Sequence, residues 1–252
     1  MLAAQSGHEA VIRRLLQAYR VEEASRPLFQ RALSAAIEHG HAEVAKALLA
    51  TGISMEVQAG QRPDALFAAA AQGNRGLLEL LLEHGASINA TDERGRTALM
   101  LAAETGQEEV VESLVQRGAA LDLQDQEGQT ALLLAVRRGH AGVASQLIRA
   151  GSNVRVSSRH GNTPLMLAAE ANQEALVQEL LQQDAAIDAA NQLGDTALGM
   201  AVQRSYKSIA KILLEHQANP YLPLTVLEKA SPDMKDLVKR YWSARRLLAK
   251  IF

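Results

Sequence analysis

Cysteine is absent from all 252 residues, which excludes disulfides and thiolate metal ligation and fits a reducing compartment. Aromatic residues are scarce: three Phe, four Tyr and one Trp. A core built from such a chain has few large rings to fill gaps and must bring helices close through Ala and Leu. No apolar stretch approaches the roughly 20 residues that a membrane-spanning helix needs. Met1-Leu2 runs straight into a helical pattern broken by the polar turn Gln5-Ser6-Gly7-His8, unlike a secretory leader. Net charge is also small, −2 with a pI near 6.4. Neither nucleic acid nor an anionic membrane is therefore demanded as a partner.

Motifs of catalysis are missing as well. There is no glycine-rich phosphate loop with its lysine, no His-Glu-x-x-His and no Gly-x-Ser-x-Gly. Carboxylates such as Glu104, Glu108 and Glu112 fall at helical spacing and read as solvated faces rather than an acid/base pair. The histidines recur with the chain's own period. His8, His41 and His140 follow a turn glycine, while His84 and His216 close a longer helix. Residues that occupy equivalent places in separate copies do not converge on one metal ion. The expectation is a non-enzymatic protein with no cofactor and no metal.

What is present is a period. Gly95, Gly128, Gly161 and Gly194 are 33 residues apart, as are Thr97, Thr130, Thr163 and Thr196. Leu99, Leu132, Leu165 and Leu198 keep the same step, and so do Ala102, Ala135, Ala168 and Ala201. A fixed period of this size points to a solenoid rather than to one central core. The copies run approximately over 1–25 (entered halfway), 26–58, 59–91, 92–124, 125–157, 158–190 and 191–223, with a cap over 224–252. All are read as one domain over 1–252, and the half-copy at Met1 implies a preceding half-repeat upstream.

Within a copy, the threonine caps a short helix, and Pro164 fits the first helical position. Repeat 2 has Arg31 at the threonine position, and repeat 3 has Asp64, an equally good cap. Gly106 and Gly139 end the short helix in the left-handed conformation, with Asn172 as the next best choice. A longer second helix follows, its apolar pairs at Val110-Val111 and Leu114-Val115 recurring at Val143-Ala144 and Leu147-Ile148. Repeat 7 puts Ser205 and Gln217 where glycine is usual, which costs about 1 kcal/mol each.

Beyond it, Leu224 to Ala230 reads as a further first helix, and Ser231-Pro232-Asp233 as the start of another. Met234, Leu237, Val238, Tyr241, Leu248 and Phe252 share one side of that last helix; Lys235, Lys239, Arg240, Arg246 and Lys250 lie largely opposite. The stretch reads as an end cap, with an unpaired Trp242 as the feature that would serve a membrane surface or partner helix.

The segments TALMLAAETGQEEVVESLVQRGAALDL and NTPLMLAAEANQEALVQELLQQDAAIDAAN resemble ankyrin repeats, and the resemblance covers almost the whole chain. It implies an all-α ankyrin-repeat solenoid of about seven stacked helix-turn-helix units, with a degenerate C-terminal capping helix pair and a projecting loop between units. The histidine that usually follows the Thr-Pro-Leu triad is replaced by Met100, Leu133, Met166 and Gly199, which removes a hydrogen-bond network and lowers the expected stability. The resemblance also implies a function: binding a protein or peptide in a concave groove, as a monomeric intracellular scaffold or adaptor in the cytoplasm or nucleus. The alternative is an intramolecular regulatory or spacer domain of a larger enzyme, channel or receptor. No nucleic acid contact and no membrane insertion are expected.

Carried over position by position, the partner-binding stripe comprises loop tips and short-helix ends. In repeat 4 these are Glu93, Arg94, Arg96, Glu104 and Thr105; in repeat 5, Gln126, Glu127, Gln129, Arg137 and Arg138. Repeat 6 offers Arg159, His160, Asn162 and Glu170, and repeat 7 offers Gln192, Leu193, Asp195, Gln203 and Arg204. These positions vary from copy to copy while the scaffold repeats. Leu193 stands out as an apolar residue on a loop tip. Charge is segregated too. Eleven acidic residues face three arginines between Glu79 and Glu127, whereas Gly128 to Arg159 holds five arginines and no carboxylate. A ligand with an acidic segment would dock there in one direction. Asn89, in the loop Ser-Ile-Asn-Ala, matches a place where ankyrin proteins are hydroxylated.

Overall fold

The computed structural model describes residues 2–18, 26–51, 62–221 and 223–248. Gly52, Phe252 and the side chain of Leu248, which the sequence patterns include, lie outside the described part. Every regular element among the described residues is a helix, apart from one isolated antiparallel bridge between Thr91 and Thr97. The all-α repeat architecture is therefore as the period predicts.

The chain divides into two compact units, Met1–Ala120 and Leu121–Phe252. In the first lie the hairpins α1 (Leu2–Gln5) and α2 (Glu9–Ala18), α3 (Arg26–Glu38) and α4 (Ala42–Leu49), α5 (Arg62–Gln72) and α6 (Arg75–Glu83), α7 (Ala98–Thr105) and α8 (Glu108–Gln116). The second holds α9 (Ala131–Arg138) and α10 (Ala141–Arg149), α11 (Pro164–Glu170) and α12 (Glu174–Gln182), α13 (Ala197–Gln203) and α14 (Lys207–Glu215), then α15 (Leu224–Lys229) and α16 (Pro232–Leu248).

Within each unit, like packs on like. Helix α5 lies against α7, and the second helices run α2, α4, α6, α8 as a second layer. In the second unit the first helices stack in the order α9, α11, α13, α15, and the second helices in the order α10, α12, α14, α16. The period explains why. Leu99, Leu132, Leu165 and Leu198 are each only 1% exposed, and Ala102, Ala135, Ala168 and Ala201 are fully buried. Burying one such leucine contributes about 1.5–3 kcal/mol. Val11 and Leu15 hold the stacking positions of α2 but are 46% and 42% exposed, because among the described residues α2 has a stacked second helix, α4, on one side only.

Helix ends follow local chemistry. Thr97, Thr130, Thr163 and Thr196 each accept the N–H three residues on, at 3.1–3.3 Å, while holding extended backbone. The Met100 sulfur, at the missing histidine's place, returns a weak 3.5 Å acceptance to the Thr97 N–H. One expected cap is corrected. Helix α5 starts at Arg62, so Asp64 falls inside its first turn; α3 starts at Arg26, which leaves Arg31, at the threonine position, mid-helix. Pro27 and Pro63 sit at the second helical residue of α3 and α5, where the fixed φ favours an earlier start.

The tail folds as a further hairpin, with α15 against α13 and α16 against α14. Ser231 accepts the Met234 N–H at 3.4 Å, and Met234 and Val238 are buried. Trp242 is not unpaired, since its ring meets Tyr221 edge-on at 5.5 Å.

Among the described residues, four non-glycine residues carry a positive φ: Asn172, Asp184, Ser205 and Gln217, all in the second unit. Asp184 and Gln217 follow the long helix at the place of Gly118 and Gly151, so the strain recurs with the period. Left-handed backbone costs an L-residue about 1–2 kcal/mol, part of which glycine returns through its freer unfolded chain. Ser205→Gly and Gln217→Gly should therefore each stabilise the protein by about 0.5–1 kcal/mol. Urea unfolding followed by circular dichroism checks this; a lowered midpoint for both variants contradicts the strain argument.

Candidate partner-binding surface

Four inter-repeat loops each start from one polar side chain that folds the backbone over itself. Asp92 Oδ1 accepts the N–H groups of Arg94 and Arg96 at 2.9 and 2.8 Å. Asp125 Oδ1 does the same for Glu127 and Gln129, and Asn191 Oδ1 for Leu193 and Asp195. Ser158 manages one such bond, to Asn162 N–H at 3.3 Å. This use of Asp, Asn and Ser as backbone turn-formers needs a short side chain with an oxygen. The recurrence of Asp, Asp, Ser and Asn at a 33-residue step was readable in the sequence.

In the second unit the loop tips are also tied to one another. Arg159 N–H donates to the Glu127 carbonyl at 2.9 Å, and Gln192 N–H to the His160 carbonyl at 3.0 Å. Gln192 Nε2 reaches the Arg159 carbonyl at 2.8 Å, and Asn191 Nδ2 reaches Asn162 Oδ1 at 2.9 Å. The approach is close enough that a Cβ on Gly128 would lie 2.7 Å from the Arg159 nitrogen. The tips of repeats 5, 6 and 7 thus form a held edge, with Gln126, Glu127, Arg159, His160, Gln192 and Leu193 exposed along it. Leu193 is 86% exposed. Between the tips of repeats 5 and 6 lies an open polar depression of about 370 Å³, lined by Gln124, Asp125, Gln126, Gly128, Ser157, Ser158 and Arg159.

A second ladder supports the turns beneath. His41 Nε2 is 2.8 Å from the Gln5 carbonyl, and since a carbonyl only accepts, Nε2 carries the hydrogen. The residues one and two periods later act alike: Asn74 donates to the Gly40 carbonyl at 2.6 Å and Gln107 to that of Ala71 at 3.2 Å. In the second unit Gln173 donates to Val136 at 3.3 Å. These bonds run from each hairpin back to the one before it. His84 and His216 instead bond the carbonyls of Leu80 and Ile212 within their own helices. These three histidines are structural, and no metal-ligating cluster occurs among the described residues.

Not every candidate side chain faces outward. Gln129 is only 3% exposed, and its Oε1 has no donor among the described residues. Arg96 is held by Asp92 at 2.8 Å and lies 3.6 Å from Glu104, while the Thr105 hydroxyl turns back to the Leu101 carbonyl at 2.8 Å. Asn162 is part-buried against Asn191. Of the short-helix ends, Arg204 pairs with Glu170 at 2.6 Å and Gln203 with Asp195 at 3.3 Å. Arg138 is engaged within the protein. Arg137 and Arg159 are exposed, with no ion-pair partner among the described residues. The five-arginine run is also thinned by pairing: Arg149 lies 3.6 Å from Glu179, and Arg155 pairs with Asp184.

The ankyrin-repeat profile spanning three copies matches residues 33–125, 66–158, 99–191 and 143–223. The chain therefore belongs to the ankyrin-repeat family. It is a protein-binding repeat module of that family. Comparison with curated proteins finds no match. No helix among the described residues is long and apolar enough to cross a membrane.

Charge is built into the Asp92 turn, so acid should loosen it. Burial opposes the charged form of Asp92, but bonds from the Arg96 N–H, the Arg96 side chain and the Arg94 N–H outweigh it and hold its carboxyl below the usual range. A depressed carboxyl contributes stability that is present above its unfolded value, about 3.9, and is lost as pH falls through the lower folded value. The thermal midpoint should drop below about pH 4, and Asp92→Asn should flatten that drop. An unchanged slope in the variant rules out Asp92 as a contributor.

Proposed function

We propose that the loop-tip edge of the second unit binds a carboxylate-rich segment of a partner protein, oriented by Arg137 and Arg159 and anchored by Leu193. The observation that carries this is the combination of two exposed, unpaired guanidinium groups with an 86%-exposed leucine on a hydrogen-bonded edge. Solvation does not account for a leucine there, and a pre-held edge loses little conformational entropy on binding. His160, Gln192, Gln126 and Glu127 flank it and would set register. In the first unit we place contacts at Glu93 and Arg94, which are exposed on their loop tip. The setting we infer is intracellular, cytoplasmic or nuclear, supported by the family and the cysteine-free sequence.

A fluorescein-labelled peptide alternating glutamate and leucine provides the test, read by anisotropy at low and high salt. Arg137→Glu combined with Arg159→Glu should weaken binding about tenfold, roughly 1.4 kcal/mol, and reduce its salt dependence. Leu193→Ser should weaken it without changing that dependence. Unchanged affinity and salt slope in the double variant would remove the charge argument.

Asn89 is proposed as a hydroxylation site. It is exposed, and its Oδ1 accepts the Ala120 N–H at 2.9 Å. Peptide mapping of cell-derived protein should find one added oxygen on Asn89; an unmodified residue at full coverage counts against it.

A further inference from the structure

We propose that Ser157 is a phosphorylation site for an arginine-directed serine/threonine kinase, and that its phosphate switches off the acidic-segment binding proposed above. The regulatory half rests on that reading; the modification site does not.

Five serines follow an arginine at two or three positions: Ser34 after Arg31, Ser152 after Arg149, Ser157 and Ser158 after Arg155, and Ser243 after Arg240. Sequence does not choose among them, but the fold does. Ser152 and Ser158 are buried, and the Ser158 oxygen accepts the Asn162 N–H. Ser34 lies within α3 and Ser243 within α16, where the helical backbone hinders in-line presentation of the hydroxyl. Ser157 is exposed and outside any helix. Its hydroxyl has no partner among the described residues, and its carbonyl accepts Gln124 Nε2 at 3.3 Å. Arg155 and Arg159 flank it two residues to either side. Arg159 is exposed, and Arg155, though paired with Asp184, keeps more than half of its side-chain surface open to a competing carboxylate.

The transfer is ordinary phosphoryl chemistry. Ser157 Oγ attacks the γ-phosphorus of magnesium ATP held by the kinase. The bond from that phosphorus to the bridging oxygen breaks, ADP leaves with the electron pair, and the hydroxyl proton passes to the kinase's catalytic carboxylate. The product carries about −1.5 to −2 charges at pH 7. It stands in the depression that Arg159 also lines, so it competes with an incoming carboxylate for that guanidinium. Asp125 lines the same depression, but its Oδ1 is already compensated by two backbone N–H groups.

The full chain and a peptide spanning residues 150–165 are each incubated with the catalytic domain of such a kinase and magnesium ATP, then mapped by fragment mass spectrometry. One phosphate on Ser157 is expected in both, with none at this site in Ser157→Ala. The phosphorylated chain should bind the glutamate–leucine peptide at least about tenfold more weakly. Labelling of the 150–165 peptide but not the folded chain overturns the accessibility argument. Phosphate on Ser152 or Ser158 of the folded chain overturns the choice of site, and no labelling of either overturns recognition by the flanking arginines. If the unmodified chain binds and the phosphorylated chain binds equally well, the switch is wrong. If the unmodified chain fails to bind while Ser157 is labelled, the binding reading fails and the modification site stands.

Discussion

Everything in this protein depends on a helical hairpin being too small to bury its own apolar face. Each copy must lend its leucine and alanine face to the next. That obligation fixes Leu99, Leu132, Leu165 and Leu198 and leaves other positions free. Alanine at 102, 135, 168 and 201 is part of the same demand, because helices stack closely only where side chains are small. Val11 and Leu15 show the converse: one period before the buried Val44 and Leu48, with one stacked neighbour, they are half exposed.

Stacking sets the spacing, but polar bonds set the precision of the edge. The expected loss of stability from the missing Thr-Pro-Leu histidine overlooks a replacement. His41, Asn74, Gln107 and Gln173, one residue after the short-helix turn, each cross to a carbonyl of the preceding copy. Loop-to-loop bonds such as Arg159 to Glu127 then align the tips. A surface held at both root and tip is preorganised, so binding need not order it.

The fold was legible because the same sequence pattern recurs many times. Thr163-Pro164 announces a helix start, and its threonine bonds the predicted N–H. Where a copy degenerates, legibility falls. Asp64 occupies the cap position, but α5 begins earlier, since Pro63 near the start outweighs a single cap candidate. The candidate surface was only partly legible. A period places a residue on a loop tip but does not say which way its side chain turns. Gln129 turns inward and Gln126 outward from positions three apart.

Charge was the least legible property, and for a reason particular to repeats. In a helix, ionic partners lie three or four residues apart; in a stack, they also lie about one period away. Arg155 meets Asp184, Arg149 meets Glu179, and Arg204 meets Glu170, each across neighbouring copies. A run of five arginines therefore does not make a basic patch when the next copy supplies the carboxylates. What reaches solvent as net positive charge is the remainder, Arg137 and Arg159, which the neighbouring copies do not neutralise. On the function proposed above, partner specificity resides in these mismatches between successive repeats, because matched positions satisfy one another.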